Sequence, residues 1–489
     1  MKQKDTFYIT TTLPYINAPL HIGHALEFIQ ADVIARYHRA KGERVFFLTG
    51  TDEHGSKIAN TAETQGLTPR QLANQHSKEA RGLKKILNLS WDYFIRTTDK
   101  KNHWPGVKKV WKGLEKSGDL YKKTYRGLYC TGCEAFVGDR DLEDGKCSIH
   151  KKEPELVEEE NYFFRLSAYS KQLKQKIESG TMRIVPEWRE KEILSLIEGG
   201  LEDVSFSRPT SKLTWGIPVP GDDTQTIYVW ADALTNYISA IGYGHDQKEF
   251  EQWWPANVQV LGKDVLRFHA AIWPAMLLAL GLEVPSQLFV HGFITVEGQK
   301  MSKSIGNVLY PKDLVDRYGI DPVRYYFLRE LSPFEDGDFS NDRFVQRYNG
   351  DLANGVGNFV ARVLSLAKKH GHIHTDYSVM ELATENKIKN TKEELDNAMR
   401  EFRFHDTLAS LWALISYGDG YMNDKKPWES TKTDAQKEKT LFNLLIIVNA
   451  VAVLLQPFLP DTAQAISKAL SFKEDHVEIG NLPPLFPRL

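Results

Sequence analysis

Two histidines and two lysines carry the most legible chemistry in this 489-residue chain. His21 and His24 stand in His21-Ile22-Gly23-His24, and Lys300 and Lys303 in Lys300-Met301-Ser302-Lys303-Ser304. The histidines lie where a loop holding Pro14 and Pro19 gives way to helical periodicity. Free backbone N–H groups and the positive end of a helix dipole favour anions at such a junction. Gly23 lets a ligand come close to the backbone. The lysine segment is flanked by Gly298 and Gly306, as in a mobile loop. Two ammonium groups there can close over a triphosphate and stabilise charge as pyrophosphate leaves. One such transition-state donor is worth about 2.7–4 kcal/mol. Alone, the first motif also fits two histidines bonded to carbonyls, and the second an exposed basic loop. Together they point to triphosphate handling.

Two carboxylates fall at predicted strand ends. Asp264 in Gly262-Lys263-Asp264 can accept ribose hydroxyls, and Asp52 in Thr51-Asp52-Glu53-His54-Gly55 can pair with a substrate ammonium. The chain's three cysteines cluster as Cys130-x2-Cys133-x13-Cys147-x2-His150. Three thiolates and one imidazole make a closed tetrahedral zinc site with no position left for catalysis. Comparable sites contribute about 10–16 kcal/mol of apparent binding energy, so local folding would depend on the metal. Nearby carboxylates could replace His150, and three free thiols are the alternative.

Phe7 to Thr10 is β-prone, a helical pattern runs from His21, and Val45 to Gly50 reads as a fully buried strand. Strand, loop, helix and strand open a parallel α/β sheet. Lys100 to Arg126 is basic, with Lys108, Lys112 and Lys116 on one helix face; this is either a solvated face or one that tracks RNA phosphates. The acidic run from Glu153 to Glu160 reads as solvated surface. The α/β pattern resumes at Thr226–Trp230, Val258–Gly262 and Gln287–Gly292, so the sheet is split by an insertion. Long helical patterns follow about residue 345: Phe344–Lys369, Thr384–Phe404, Asp406–Asn423 and Asp434–Leu455.

Length allows two to four domains. A net charge of −2 neither favours nor excludes nucleic acid. The first residues lack a signal-peptide pattern, and the most apolar run, Leu441 to Leu459, is broken by polar residues and Pro457. We expect a cytoplasmic protein without membrane contact.

The motif pair resembles the class I aminoacyl-tRNA synthetases. Thr12-Leu13-Pro14-Tyr15-Ile16-Asn17 and Tyr228-Val229-Trp230-Ala231-Asp232-Ala233-Leu234-Thr235-Asn236-Tyr237 narrow the resemblance to the methionyl-tRNA synthetases, over essentially the full chain. It implies a Rossmann-type parallel-sheet α/β catalytic domain split by a zinc-knuckle insertion, followed by an all-α bundle. The implied divisions are residues 1–116 and 221–295 for the two halves of the catalytic domain and 117–220 for the insertion. The lysine loop and stem-contact region would be 296–345, and the anticodon-binding bundle 346–489.

The implied activity joins L-methionine to ATP as methionyl-adenylate, then loads the 3′ end of tRNA(Met), with Mg2+ accompanying ATP and Zn2+ structural. The implied catalytic set is His21, His24, Lys300 and Lys303; Gly23, Glu27, Gly262 and Asp264 complete the ATP site. The implied methionine pocket is Leu13, Tyr15, Asp52, Trp230, Ala233, Leu234, Tyr237, Val265 and His269. Flat aromatic walls suit a flexible thioether. Leu234 stands where many members carry proline. Asn358, Arg362 and Trp428 are the implied anticodon readers.

The isoleucyl, leucyl and valyl enzymes resemble the same core, but the insertion here leaves little room for their hydrolytic editing site. A cysteinyl enzyme would place a cysteine before the histidine motif, and none precedes Cys130. A synthetase for another apolar amino acid and a non-catalytic tRNA-binding paralogue remain as alternatives. The chain's end just beyond the bundle, without the dimerising module of some members, leads us to expect a monomer.

Overall fold

The structure is a computed structural model that describes residues 6–131, 135–138, 141–148, 151–302 and 306–489. Two compact units divide it. The sheet unit comprises residues 1–20, 41–84 and 89–291; the helical unit comprises 21–40, 85–88 and 292–489.

Six parallel strands form the main sheet: β1 (Thr6–Thr10), β2 (Arg44–Thr51), β3 (Tyr93–Arg96), β4 (Arg183–Val185), β5 (Val258–Gly262) and β6 (Gln287–His291). Their order is β3-β2-β1-β5-β6-β4. Apolar residues face both sides of the central strands, as a doubly covered parallel sheet requires: Tyr8, Leu48, Leu261, Leu288 and Val290 share one core with Trp111 and Trp273. The strand order reverses between β1 and β5, and the C-terminal ends at such a reversal open a ligand crevice.

Between β3 and β4 the insertion builds its own antiparallel sheet. Leu120–Cys130 and Glu155–Phe164 pair from Leu120↔Phe164 to Tyr129↔Glu155. The acidic run is therefore a strand, and the expectation of plain solvated surface is corrected at one residue. Strand alternation turns Glu159 inward, where its carboxylate accepts from Arg208 Nε at 2.7 Å and Nη2 at 2.8 Å. The basic helix Trp104–Lys116 buries Val107, Val110, Trp111 and Leu114 and leaves Lys108, Lys112 and Lys116 exposed.

A second correction concerns Thr226–Trp230. The strand Asp222–Ile227 belongs to a small antiparallel sheet with Ser207–Pro209 and Pro218–Val219, not to the main sheet. Helix α2 (Val229–Leu234) follows at once. A short apolar run cannot by itself separate a buried strand from a buried helix.

In the helical unit, α1 (Ile22–Ala40) is buried nearly all round. Its fully buried Asp32 accepts from Arg324 Nη2 at 2.8 Å and Arg36 Nε at 2.7 Å. Arg324, on helix α3 (Ile320–Arg329), also donates to the carbonyls of Phe458, Pro457 and Leu87. A buried ion pair needs such additional hydrogen bonds to offset desolvation.

The bundle contains α4 (Asn358–His370), α5 (Leu382–Arg400), α6 (Phe404–Lys425), α7 (Asp434–Leu455) and α8 (Pro460–Ala469). The single helix expected over Phe344–Lys369 is interrupted: Asn341–Arg347 and α4 flank a widened stretch, Tyr348–Gly357, in which Gly355 leaves helical dihedrals. A two-stranded hairpin, Leu470–Phe472 with Val477–Ile479, adds an element that the all-α expectation lacks. Helix α7 is long and apolar enough to cross a membrane, but it packs against α4, α6 and α8.

Candidate active site

The loops after β1 and β2 carry the first group of predicted residues. Tyr15 and Asp52 form a parallel bridge: Asp52 N donates to Pro14 O at 3.1 Å, and Ile16 N donates to Asp52 O at 3.3 Å. The next residue, Glu53, anchors the turn. Its carboxylate accepts from Arg96 Nε and Nη2 at 2.6 and 2.9 Å and from the hydroxyls of Thr51 and Thr98. Trp215 Nε1 donates to the Glu53 carbonyl at 2.5 Å. Asp52, only 6% exposed, thus rides on a turn that is bonded on both sides.

Helix α2 and the turn after it supply Trp230, Ala233, Leu234 and Tyr237, the last three buried. The Tyr237 hydroxyl lies 2.8 Å from His269 Nε2, and His269 Nδ1 lies 2.9 Å from Val265 O. A ring nitrogen facing a carbonyl must carry the proton, so Nδ1–H donates and Nε2 accepts from the tyrosine. The Tyr237 backbone carbonyl accepts from Tyr8 OH at 2.7 Å. Leu13 and Val265 pack, partly buried, against the core that holds Leu234 and Tyr237. Trp230 stacks on Phe268, with ring centroids 3.6 Å apart and planes 12° apart. Phe268 was not among the residues read from the sequence; its place one residue before His269 was the available signal. Gly262 ends β5, and Asp264 follows on an exposed turn.

The helical unit holds the histidine motif. His21 Nδ1 accepts from Gly23 N at 3.1 Å and His24 Nδ1 accepts from His21 N at 3.2 Å, with the rings 4.2 Å apart. Burial pushes the His21 imidazole below its ordinary range, favouring the neutral ring. In a neutral ring whose Nδ1 accepts, Nε2 carries the hydrogen and donates. Both imidazoles are thus arranged as N–H donors at the start of α1. Gly23 has a steric role: a methyl there would stand 2.9 Å from His21 Cε1 and 3.9 Å from Met301 Cε. Glu27 lies one turn along and is buried.

The lysine segment meets the same helix start. Ile22 N donates to Leu309 O at 3.1 Å, which satisfies one helix-end donor. Lys300 is exposed, and its loop is closed by Asn307, whose Oδ1 accepts from Ser302 N at 2.8 Å and whose Nδ2 donates to Lys300 O at 3.2 Å. Gly298 and Gly306 both have positive φ, which suits glycine at the loop's two ends. Lys303 lies outside the described residues.

A family model described as tRNA synthetases class I (M) matches residues 7–143 and 138–364, and the anticodon binding domain of methionyl tRNA ligase matches 374–480. The chain is 42% identical over 480 residues to a methionine–tRNA ligase of Caldanaerobacter subterraneus, covering 96% of this chain and 75% of that one. It is 41% identical over 496 residues to that of Rhizobium meliloti, covering 99% and 95%. The Mycobacterium tuberculosis methionyl-tRNA synthetase, solved with methionyl-adenylate, superimposes with a TM-score of 0.92 at 34% identity, covering 99% of this chain and 100% of that one. The chain belongs to the methionyl-tRNA synthetases. It is a class I aminoacyl-tRNA synthetase, an ATP-dependent methionine–tRNA ligase.

For a methionyl-tRNA synthetase the surroundings of Asn358, Arg362 and Trp428 matter next. Arg362 on α4 donates to Asp419 Oδ1 and Asn423 Oδ1 of α6, each at 3.3 Å. Asn358 opens α4 and is exposed. Helix α6 ends at Lys426 with left-handed dihedrals, and Trp428 follows Pro427 with 48% of its surface exposed.

Of the expected zinc ligands, Cys130 and Cys147 are described; both are buried and share a small cluster with Val137. Cys133 and His150 lie outside the described residues. Among the described residues no group of three ligating side chains converges.

Proposed function

We propose that this methionyl-tRNA synthetase makes methionyl-adenylate with the residues described above and transfers the methionyl group to the 3′ end of tRNA(Met). Asp52 pairs with the methionine ammonium, and Leu13, Tyr15, Trp230, Ala233, Leu234, Tyr237, Val265 and His269 surround the side chain. The methionine carboxylate attacks the α-phosphate of ATP, which enters with Mg2+, and pyrophosphate leaves. His21 and His24 donate to phosphate oxygens from Nε2, and Lys300 and Lys303 neutralise the departing charge. Gly262 and Asp264 take the ribose side, and Gly23 and Glu27 complete the nucleotide set. No side-chain nucleophile is required: positioning and charge stabilisation carry the catalysis. The observation that carries this reading is the pair of imidazoles at the α1 start, each with Nδ1 accepting from backbone.

Asn358, Arg362 and Trp428 read the anticodon, the aromatic ring stacking on a base and the polar groups bonding base edges. Cys130, Cys133, Cys147 and His150 hold a structural zinc. Two buried thiols from separate segments, gathered against Val137, are the donor chemistry zinc selects. The enzyme works in the cytoplasm, as a monomer, which light scattering tests. We propose the divisions 1–116, 117–220, 221–295, 296–345 and 346–489 as functional parts, with Arg183–Val185, inside 117–220, returning to the main sheet as β4.

The test is amino-acid-dependent ATP–pyrophosphate exchange. Methionine drives exchange and leucine, isoleucine and valine do not. Exchange driven by leucine but not methionine overturns the pocket, and no exchange with any amino acid overturns the reaction.

A further inference from the structure

Asp232 is fully buried in α2, and each of its oxygens meets an imidazole. His54 Nδ1 lies 2.6 Å from Oδ2 and His103 Nε2 lies 2.7 Å from Oδ1. The second nitrogen of His103 lies 2.8 Å from Ser239 Oγ. Burial alone would raise the Asp232 carboxyl, but the two imidazoles hold it below its ordinary range, so it acts as a double acceptor. Trp215 and Trp104 pack beside the His54 ring, with centroids 5.3 and 6.1 Å away. None of these polar groups belongs to the proposed substrate contacts.

Their positions in the chain give the network its meaning. His54 follows Asp52 by two residues, Asp232 lies between Trp230 and Ala233, and Ser239 follows Tyr237 by two. His103 precedes the basic helix Trp104–Lys116. One carboxylate therefore joins the turn that carries the ammonium ligand to the helix and turn that carry the thioether wall. Apolar contacts hold most of this core and tolerate small slides. Two directed hydrogen bonds to one buried carboxylate do not, because breaking either leaves a buried polar group unpaired.

We propose that Asp232, clamped between His54 and His103, is a positioning residue that fixes the span between Asp52 and the Trp230–Tyr237 wall, and so the length of side chain the pocket accepts. The proposal rests on the assignment of Asp52, Trp230 and Tyr237 to the methionine pocket. It extends the recognition of methionine to three residues that never touch it.

The test substitutes His103. His103→Leu keeps most of the volume and removes both bonds, whereas His103→Gln retains an N–H donor near the position of Nε2. In ATP–pyrophosphate exchange, His103→Leu raises the KM for methionine about tenfold while the KM for ATP stays within about twofold; small displacements in a binding site cost rates on this scale. His103→Gln recovers most of the loss. The preference for methionine over ethionine, one methylene longer, falls in His103→Leu and returns in His103→Gln. A methionine KM within twofold of the parent, or methionine and ATP KM rising together, overturns the positioning role. Asp52→Asn separates the two readings: if it leaves the methionine KM unchanged, the pocket assignment fails, and if it raises that KM while His103→Leu does not, only the network fails. Should His103→Leu not fold, Ser239→Ala carries the test by removing the outer bond to His103, together with only a long 3.5 Å contact to the Asn236 carbonyl. A rise of about threefold in methionine KM supports the clamp and no change overturns it.

Discussion

The proposed methionine pocket and the bundle end proposed to read the anticodon are built on opposite plans. In the pocket, Asp52, Tyr237 and His269 are buried, and the backbone bonds of Asp52 and the bond between Tyr237 and His269 are made before any substrate arrives. At the bundle end, Asn358 and Trp428 stand exposed, and Arg362 has long contacts to Asp419 and Asn423. The difference follows from the ligands. A small amino acid offers few groups, so discrimination requires walls fixed in advance. An unpaired base brings its own face and edges, and a side chain waiting at the surface can stack on it when it docks.

The largest effect that would break this contrast is at Asp52. Asp52→Ala removes the proposed partner of the substrate ammonium from a buried site, and we expect kcat/KM for methionine to fall by about a thousandfold, on the order of 4 kcal/mol. Steady-state exchange kinetics measure it; a fall below tenfold would mean that the pocket is not preorganised around that carboxylate. Lys300→Ala removes the charge proposed to neutralise the departing phosphates, and we expect kcat for exchange to fall by about a hundredfold, with the methionine KM little changed. A raised methionine KM with kcat intact would move Lys300 out of phosphate handling.

Salt sharpens the contrast more gently. Raising ionic strength from 50 to 200 mM weakens tRNA binding, because phosphate contacts release counterions, by roughly tenfold or more. The methionine KM stays nearly constant, since buried charges are screened little. Equal sensitivity of both would remove the distinction. The smallest effect is at His21. Its folded pKa is lowered by burial, so the unfolded chain takes up a proton first as pH falls. The associated stability is present above the unfolded value of about 6.5 and is lost progressively as pH falls from there through the lowered folded value. Thermal melts at pH 7.5 and 5.5 therefore converge more for His21→Asn than for the parent, and identical pH slopes would contradict it.

How legible this was in sequence varied with the kind of signal. Short motifs that need one local geometry, such as His21 to His24 at a helix start, were readable because loop, glycine and periodicity coincide there. The strands Thr6–Thr10 and Arg44–Thr51 and the helices α5 to α7 also lay close to where the patterns put them. Thr226–Trp230 misled because five apolar and β-branched residues suit a strand or a buried helix, and tertiary packing put Thr226 and Ile227 in a strand and Val229 and Trp230 in a helix. The partners of Asp232 were not readable at all: 178 and 129 residues separate it from His54 and His103. No periodicity reports a contact over such a distance. Glu159 hid for a related reason, since one inward glutamate among five looks like surface until Arg208 is seen opposite it.

The measurement that bears most directly on the two-plan account is made on Trp428→Ala, assayed for exchange and for tRNA charging on one preparation. The account predicts exchange within twofold of the parent and a KM for tRNA raised by about tenfold to a hundredfold, the worth of one stacked base. Equal loss of exchange and charging would contradict it.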